Sequence, residues 1–287
     1  MRTTLLPCTL CALLIGCDAA SSDDEHASDG GESESESETE SETSETISPD
    51  ADGDGLDDET EAAFGTDPHD VDTDDDNYWD AWELAEGTDP LDPDSRIYTG
   101  WWPYQPDKDS LPQSTWDTAS QAEGAAFPRD TYLDQHGDSV DLHDFAHFDQ
   151  NALGQPAPLL IDVAAQWCGP CHSFGSWIAE GEPGSDAHWP TVRAKLADAR
   201  FWWITVIVQD MAGGAPTLAD ATAWDGQHHH PRVPVLVDSE QHVVEHFSGG
   251  QFPHFFLLDP AMQIEFFPHE TNSSDYYPAI TMIDKYL

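Results

Sequence analysis

The chain has 287 residues, with 57 Asp plus Glu against 9 Lys plus Arg and a formal net charge of −48 at pH 7. Such a surface repels a phosphate backbone, so a nucleic-acid partner is excluded and divalent cations are the natural counterions. The acid is uneven: residues 1–99 hold 31 Asp plus Glu against 2 Lys plus Arg, and the length suits one ordinary domain with added modules.

Arg2, a mostly apolar run over 5–15 and then Gly16-Cys17 form the charged start, short apolar middle and small-residue cleavage position of an export signal. The run is too short to span a bilayer well. Leu14-Ile15-Gly16-Cys17 resembles the bacterial lipoprotein signal. That resemblance implies that residues 1–17 are a signal peptide cut before a lipidated Cys17, and that the protein sits in the cell envelope, facing the periplasm or the cell surface. A plain secretory signal is the alternative, and either way the chain leaves the cytoplasm. Residues 18–48 are Ser, Glu, Thr and Asp with almost no apolar side chain. They cannot bury enough surface to fold, and they read as a disordered acidic linker.

Residues 49–98 carry a repeat. Asp50, Asp52, Asp54, Gly55, Asp58 and Glu61 occupy positions 1, 3, 5, 6, 9 and 12 of a calcium loop of the EF-hand type, with Leu56 at the position that offers a backbone carbonyl. Alternate oxygens wrap one side of the ion, the glycine permits the sharp turn, and the last glutamate closes from a following helix. The pattern returns 22 residues later as Asp72, Asp74, Asp76, Asp80 and Glu83, with Tyr78 at the carbonyl position and Asn77 in place of glycine. Gly65-Thr66-Asp67-Pro68 recurs as Gly87-Thr88-Asp89-Pro90 at the same offset. These repeats resemble thrombospondin type 3 repeats and their bacterial surface-protein relatives. Helices over 57–64 and 79–85 are expected, too short to form a core alone, so that bound Ca2+ orders the region and stiffens a stalk.

Residues 99–126, rich in proline and aromatics, indicate a connecting strap without an assignable fold. Beyond it, 158–166 is an apolar run with no helical period, expected as a buried strand, and 172–178 reads as a helix start. Between them stands Trp167-Cys168-Gly169-Pro170-Cys171, whose two thiols are close enough in sequence to form a two-electron switch. Cys168 falls at the strand-to-helix junction, where free backbone N–H groups favour a thiolate, which makes it the candidate nucleophile. Cys8 and Cys11 leave with the signal and Cys17 takes lipid, so Cys168 and Cys171 would be the remaining thiols.

The order of a glycine hairpin at His136-Gly137, then 142–145, the apolar strand and Trp-Cys-Gly-Pro-Cys resembles thioredoxin-like proteins of the membrane-anchored TlpA and redoxin type over 127–287. The resemblance implies an α/β, thioredoxin-like fold with a central mixed β-sheet flanked by helices. Expected elements are helices over 191–199, 217–224 and 239–247, a strand over 201–208 and another over 233–238, then a cis-proline, strand, turn and strand within 252–264. It implies further that Cys168 attacks, Cys171 resolves through a Cys168–Cys171 redox disulfide, Asp162 is the buried acid that assists the second cysteine, Trp167 flanks the site, and Pro253 is the cis-proline, with Pro234 as its rival. The partners implied are protein disulfides or dithiols outside the cytoplasm and an electron donor, with no organic cofactor. An interval of 85 residues between Cys168 and Pro253 implies an insertion near 181–188 or 211–230, and His254 departs from the small polar residue usual there.

Other readings compete for these residues. Cys168-x-x-Cys171-His172 matches c-type haem attachment, and His228-His229-His230 offers imidazoles, although its neighbours Gly226 and Pro231 suggest a solvated loop. A non-catalytic, calcium-dependent adhesion or scaffold role is the main alternative to an enzyme.

Overall fold

The computed structural model describes residues 49–117, 122–146, 156–246, 252–266 and 276–286. The expected signal peptide, the expected lipidation site at Cys17 and the expected acidic linker lie outside the described residues.

Each acidic repeat is a loop followed by one short helix. Asp57 caps α1 (Asp58–Phe64) by accepting from the N–H groups of Glu59 and Thr60, and Gly65 ends it in the left-handed conformation at φ 96°. α2 (Asp80–Glu86) ends the same way at Gly87, φ 85°. The recurring Gly-Thr-Asp-Pro now has a cause. Gly65 and Gly87 return their N–H to the carbonyls of Glu61 and Glu83, both at 2.7 Å, and Thr66 and Thr88 donate to the same carbonyls.

The remaining elements build a seven-stranded mixed sheet in the order β2-β1-β5-β4-β3-β6-β7. β1 (Thr131–Asp134) and β2 (Ser139–Asp141) form an antiparallel hairpin. Asp134 Oδ1 accepts from the N–H groups of His136, Gly137 and Asp138 across the turn, where Gly137 has φ 96°. A short 3-10 turn over Leu142–Phe145 follows. The central strand β3 (Leu159–Ala165) is buried along its whole length and leads into α3 (Gly169–Glu180), then α4 (Pro183–His188) and α5 (Val192–Ala197). β4 (Trp202–Gln209) lies parallel to β3.

α6 (Leu218–His228), started by a capping box between Thr217 and Asp220, crosses over to β5 (Val235–Val237), which is parallel to β4. After α7 (His242–His246), β6 (His254–Leu258) runs antiparallel to β3, β7 (Ile264–Phe266) pairs with β6, and α8 (Tyr276–Tyr286) follows. Most of 211–230 is thus frame, a crossover helix between adjacent strands, while α4 fills 181–188. α6 also runs past Gly226 to His228, so the expected loop at 228–230 begins inside a helix.

Alternation along the strands divides the core between the two faces of the sheet. Leu160, Trp203, Phe255 and Leu257 pack with Trp177, Leu196 and Ile280 on one face. Ile161, Val206 and Phe256 share the other cluster with Trp224, Val243 and four aromatic residues from the N-terminal part, Tyr78, Tyr98, Trp102 and Tyr104. The second repeat and the strap are therefore continuous with the sheet's core.

Polar bonds fix that junction. Tyr78 donates its hydroxyl to the Trp102 carbonyl at 2.7 Å, Tyr98 donates to Asp144 Oδ2 at 2.6 Å, and Trp102 Nε1 donates to Asp134 Oδ2 at 2.6 Å. The strap then runs along β7. Gly124 donates to the Ile264 carbonyl, Ile264 to that of Ala125, and Phe127 to that of Met262, at 2.7, 2.9 and 2.8 Å.

Trp102 and Asp134 are both buried. Trp102→Phe keeps the ring packing and removes the donor to Asp134 Oδ2, so the substitution is expected to cost about 1–3 kcal/mol, measured by equilibrium urea unfolding of the full chain.

Candidate functional site

β3 ends at a turn, and Cys168 is the N-cap residue of α3, in extended conformation, its sulfur accepting from the Cys171 N–H at 3.2 Å. Proline follows in the first turn, where its missing N–H costs nothing. Cys168 and Cys171 are joined in a disulfide. Cys168 is only 2% exposed, whereas Trp167 beside it is 46% exposed, its Nε1 donating to Gln209 Oε1 at 2.9 Å. The Trp167 ring meets Phe252 edge-on at 5.8 Å. Among the described residues the cis peptide bond is Phe252–Pro253, and Pro234 leads into β5 with its carbonyl accepting from Thr205. His254, the next residue, is buried, and burial pushes its imidazole down.

Asp162 lies in the middle of β3, 1% exposed, and its oxygens accept no hydrogen bond of normal geometry. Desolvation pushes its carboxyl up to about 8, with a smaller opposing contribution from Trp203. A buried acid that titrates near the range of thiols is suited to exchanging a proton with one.

His172, in the first turns of α3, is bound through both ring nitrogens: Nδ1 lies 2.7 Å from His228 Nε2, and Nε2 lies 2.8 Å from the Gln166 carbonyl. Its ring stacks on Trp224 at 4.5 Å. Gly175 makes the room, since a Cβ there would fall 2.8 Å from a ring carbon of His228. A mid-helix glycine costs about 1 kcal/mol relative to alanine, so this space is bought against helix propensity. The axial histidine that haem attachment would need, His172, has both ring nitrogens engaged, and His228 is part of a packed helix rather than a solvated loop.

The acidic loops share one backbone. Positions 4 and 6 are left-handed in both, at Gly53 and Gly55 (φ 85° and 109°) and at Asp75 and Asn77 (φ 62° and 78°). Asp50, Asp52 and Asp54 place carboxylate oxygens within 4.8 Å of one another, as do Asp72, Asp74 and Asp76. Asp58 accepts from Ala51 N–H at 3.1 Å and Asp80 from Thr73 N–H at 2.9 Å, each bracing the start of its own loop. Glu61, Asp80 and Glu83 are fully buried.

Both oxygens of Glu61, Asp52 Oδ2, Asp74 Oδ2 and Glu83 Oε2 are buried without a hydrogen-bond partner. Burial and neighbouring negative charge push Glu61 up to about 7, Asp74 to about 6 and Glu83 to about 8. Orphaned hard oxygen donors at alternate positions fit a calcium ion, whose charge would keep these groups ionised.

Residues 50–71 and 72–93 match the family model of the bacterial TSP3 repeat. The two TSP3 repeats coincide with the two loop-and-helix units, and they are repeats of the calcium-binding type. No curated protein matches the chain. Among solved structures it is similar to the thioredoxin domain of a thiol-disulfide oxidoreductase from Bacteroides vulgatus, at 21% identity over 56% of this chain and 97% of that one, TM-score 0.38. It is also similar to a thiol:disulfide interchange protein from a Bacteroides species, at 22% identity over 57% and 90%, TM-score 0.38. A third is the thiol peroxidase from Chromobacterium violaceum, at 14% identity over 60% and 87%, TM-score 0.37. The fold of this chain is thioredoxin-like, with a central mixed sheet flanked by helices.

Three site features lie outside the sequence reading: the His172–His228 pair, the side chain of Gln166, and the Phe252 ring against Trp167. His172 directly after the cysteine pair was the available signal, but its partner His228 is 56 residues away.

The folded chain raises the Asp162 carboxyl from 3.8 to about 8. Between those values the folded state holds a proton that the unfolded chain has lost, so stability falls as pH rises, by up to about 1.4 kcal/mol per unit. Asp162→Asn is expected to remove that slope and to exceed the wild type in stability near pH 8 by more than near pH 5, as read from urea unfolding of the oxidised protein.

Proposed function

We propose that the chain is an envelope-anchored thiol-disulfide oxidoreductase that reduces or exchanges disulfides of extracytoplasmic proteins, with calcium as a structural ion in its TSP3 repeats. The observation that carries this reading is the Cys168–Cys171 disulfide capping α3 beside an exposed Trp167, on a strand that buries Asp162.

In the reduced form the Cys168 thiolate, stabilised by the first-turn N–H groups of α3, attacks one sulfur of a substrate disulfide. A mixed disulfide forms and one substrate sulfur leaves as thiolate, taking a proton from solvent. Cys171 then loses its proton, for which the ionised form of Asp162 is the acceptor, and attacks the Cys168 sulfur. The second substrate sulfur leaves as a thiolate and takes up the proton that Asp162 accepted, so that the substrate gains two electrons and two protons while Cys168 and Cys171 close their disulfide. A dithiol donor outside the cytoplasm reopens it. Trp167 and Phe252 offer an apolar border to the substrate, with Pro253 following.

One calcium ion would be held by Asp50, Asp52, Asp54, the Leu56 carbonyl, Asp58 and Glu61, and a second by Asp72, Asp74, Asp76, the Tyr78 carbonyl, Asp80 and Glu83. Calcium supplies neutralising charge there and no redox chemistry. Anchoring rests on the lipoprotein-like sequence ending at Cys17, which places the redox domain on an acidic tether outside the cytoplasm.

Cys171→Ser is expected to accumulate mixed disulfides on Cys168 in the native host, and Cys168→Ser to accumulate none. Equal trapping by both, or by neither, overturns the reading. Since Tyr78 belongs to the second loop and to the main core, calcium is expected to raise the melting temperature of the whole folded unit. A free concentration of 100 times Kd stabilises by about 2.7 kcal/mol. Glu83→Gln is expected to remove most of that gain, measured by near-UV circular dichroism with and without a chelator.

A further inference from the structure

Gln166 begins the turn that carries Trp167 and Cys168, and three of its polar groups are held by other elements. Its N–H donates to the Gln209 carbonyl at 2.9 Å. Its side-chain Nε2 donates to the Asp220 carbonyl at 2.6 Å. Its own carbonyl faces His172 Nε2 at 2.8 Å.

Chemistry decides the protons along that third link. A carbonyl only accepts, so His172 Nε2 carries the hydrogen, and in the neutral ring Nδ1 is then a lone pair. His228 Nε2, at 2.7 Å, must donate to it. That leaves His228 Nδ1 to accept from the Ser176 hydroxyl at 3.3 Å. The donors run in one direction from Ser176 through His228 and His172 to the Gln166 carbonyl, and none is wasted. The chain is built in: Gly175 leaves space for the His228 ring, and Trp224 stacks on His172.

We propose that His172 is a positioning residue for Cys168. Together with His228 it holds the Gln166 carbonyl, and through it the turn, in the geometry that seats the Cys168 sulfur on the end of α3. This deepens the oxidoreductase reading and rests on it. The Cys171 N–H already meets that sulfur at 3.2 Å. A thiolate gains more from this donor than a disulfide sulfur does, because it carries a full charge. A turn released from His172 therefore penalises the reduced form more than the oxidised one, raising the Cys168 pKa and shifting the equilibrium toward the disulfide.

The test equilibrates the full chain with glutathione redox buffers, reads the reduced fraction by thiol alkylation, and titrates the Cys168 thiolate by its ultraviolet absorbance. His172→Phe keeps the stacking on Trp224 and removes the N–H. It is expected to shift the equilibrium constant toward disulfide threefold or more, about 14 mV for a two-electron couple, and to raise the thiolate pKa. Gly175→Ala leaves His172 in place but displaces His228, and is expected to shift both in the same direction. His172→Gln restores an N–H at similar reach and is expected to stay within about twofold of wild type.

Folded His172→Phe and Gly175→Ala proteins with wild-type constants overturn the proposal, as does a His172→Gln shift equal to that of His172→Phe. If His172→Phe does not fold, the comparison of Gly175→Ala with His172→Gln decides alone. Failure of the oxidoreductase reading is separate: it shows as absent trapping on Cys171→Ser, while these constants remain measurable.

Discussion

β3 is hydrogen-bonded along both edges, parallel to β4 and antiparallel to β6, and all seven of its side chains are buried. A slip of one residue would exchange Leu160 and Ile161 between the two packed faces and carry Asp162 with them, so the register has no freedom. The point at which the chain leaves the sheet is fixed with it, and so is Cys168 as the first residue of the α3 junction. A reactive sulfur on a loop would have to be held by the loop itself. Here it inherits its position from the most constrained strand of the sheet, and the links at Gln166 have only to hold three residues.

Charge is managed differently at the two ends of the molecule. In β3 the Asp162 carboxyl is buried without a counterion, and burial pushes it up to about 8. In the repeats, many carboxylates converge with few cations nearby. Arg96 reaches Asp76 at 3.6 Å and lies over the Trp101 ring at 4.2 Å, but the oxygens of Glu61 have no such partner. The first solution suits a proton-transfer group and the second an ion site. Tyr78 connects the two regions, because one residue supplies both a carbonyl position in the second loop and a side chain in the main core.

What could be read from the sequence is what short spacing determines. The loops are specified within twelve residues, the hairpin within the span from Asp134 to Asp138, and the cysteine pair within four, so each announced itself locally. The left-handed Asp75 went unread because its counterpart in the first loop is Gly53 and an aspartate gives no such signal. The strap was unreadable for another reason. Trp102 finds Asp134 and Tyr98 finds Asp144 across 32 and 46 residues, and no local pattern names a partner at that distance. His228 was misplaced by its neighbours: Gly226 argues against a helix on propensity, yet packing of α6 against α3 carries the helix through it.

β7 is the last strand on its side of the sheet, and an uncovered edge invites another chain to pair with it. Residues 124–127 occupy that edge through backbone bonds to Met262 and Ile264. The opposite margin, β2, is only three residues long, a poor template. Among the described residues the sheet therefore offers no long bare edge. Under the proposed function, a client protein would engage the sulfur at the end of α3 and depart again, without being recruited as an eighth strand.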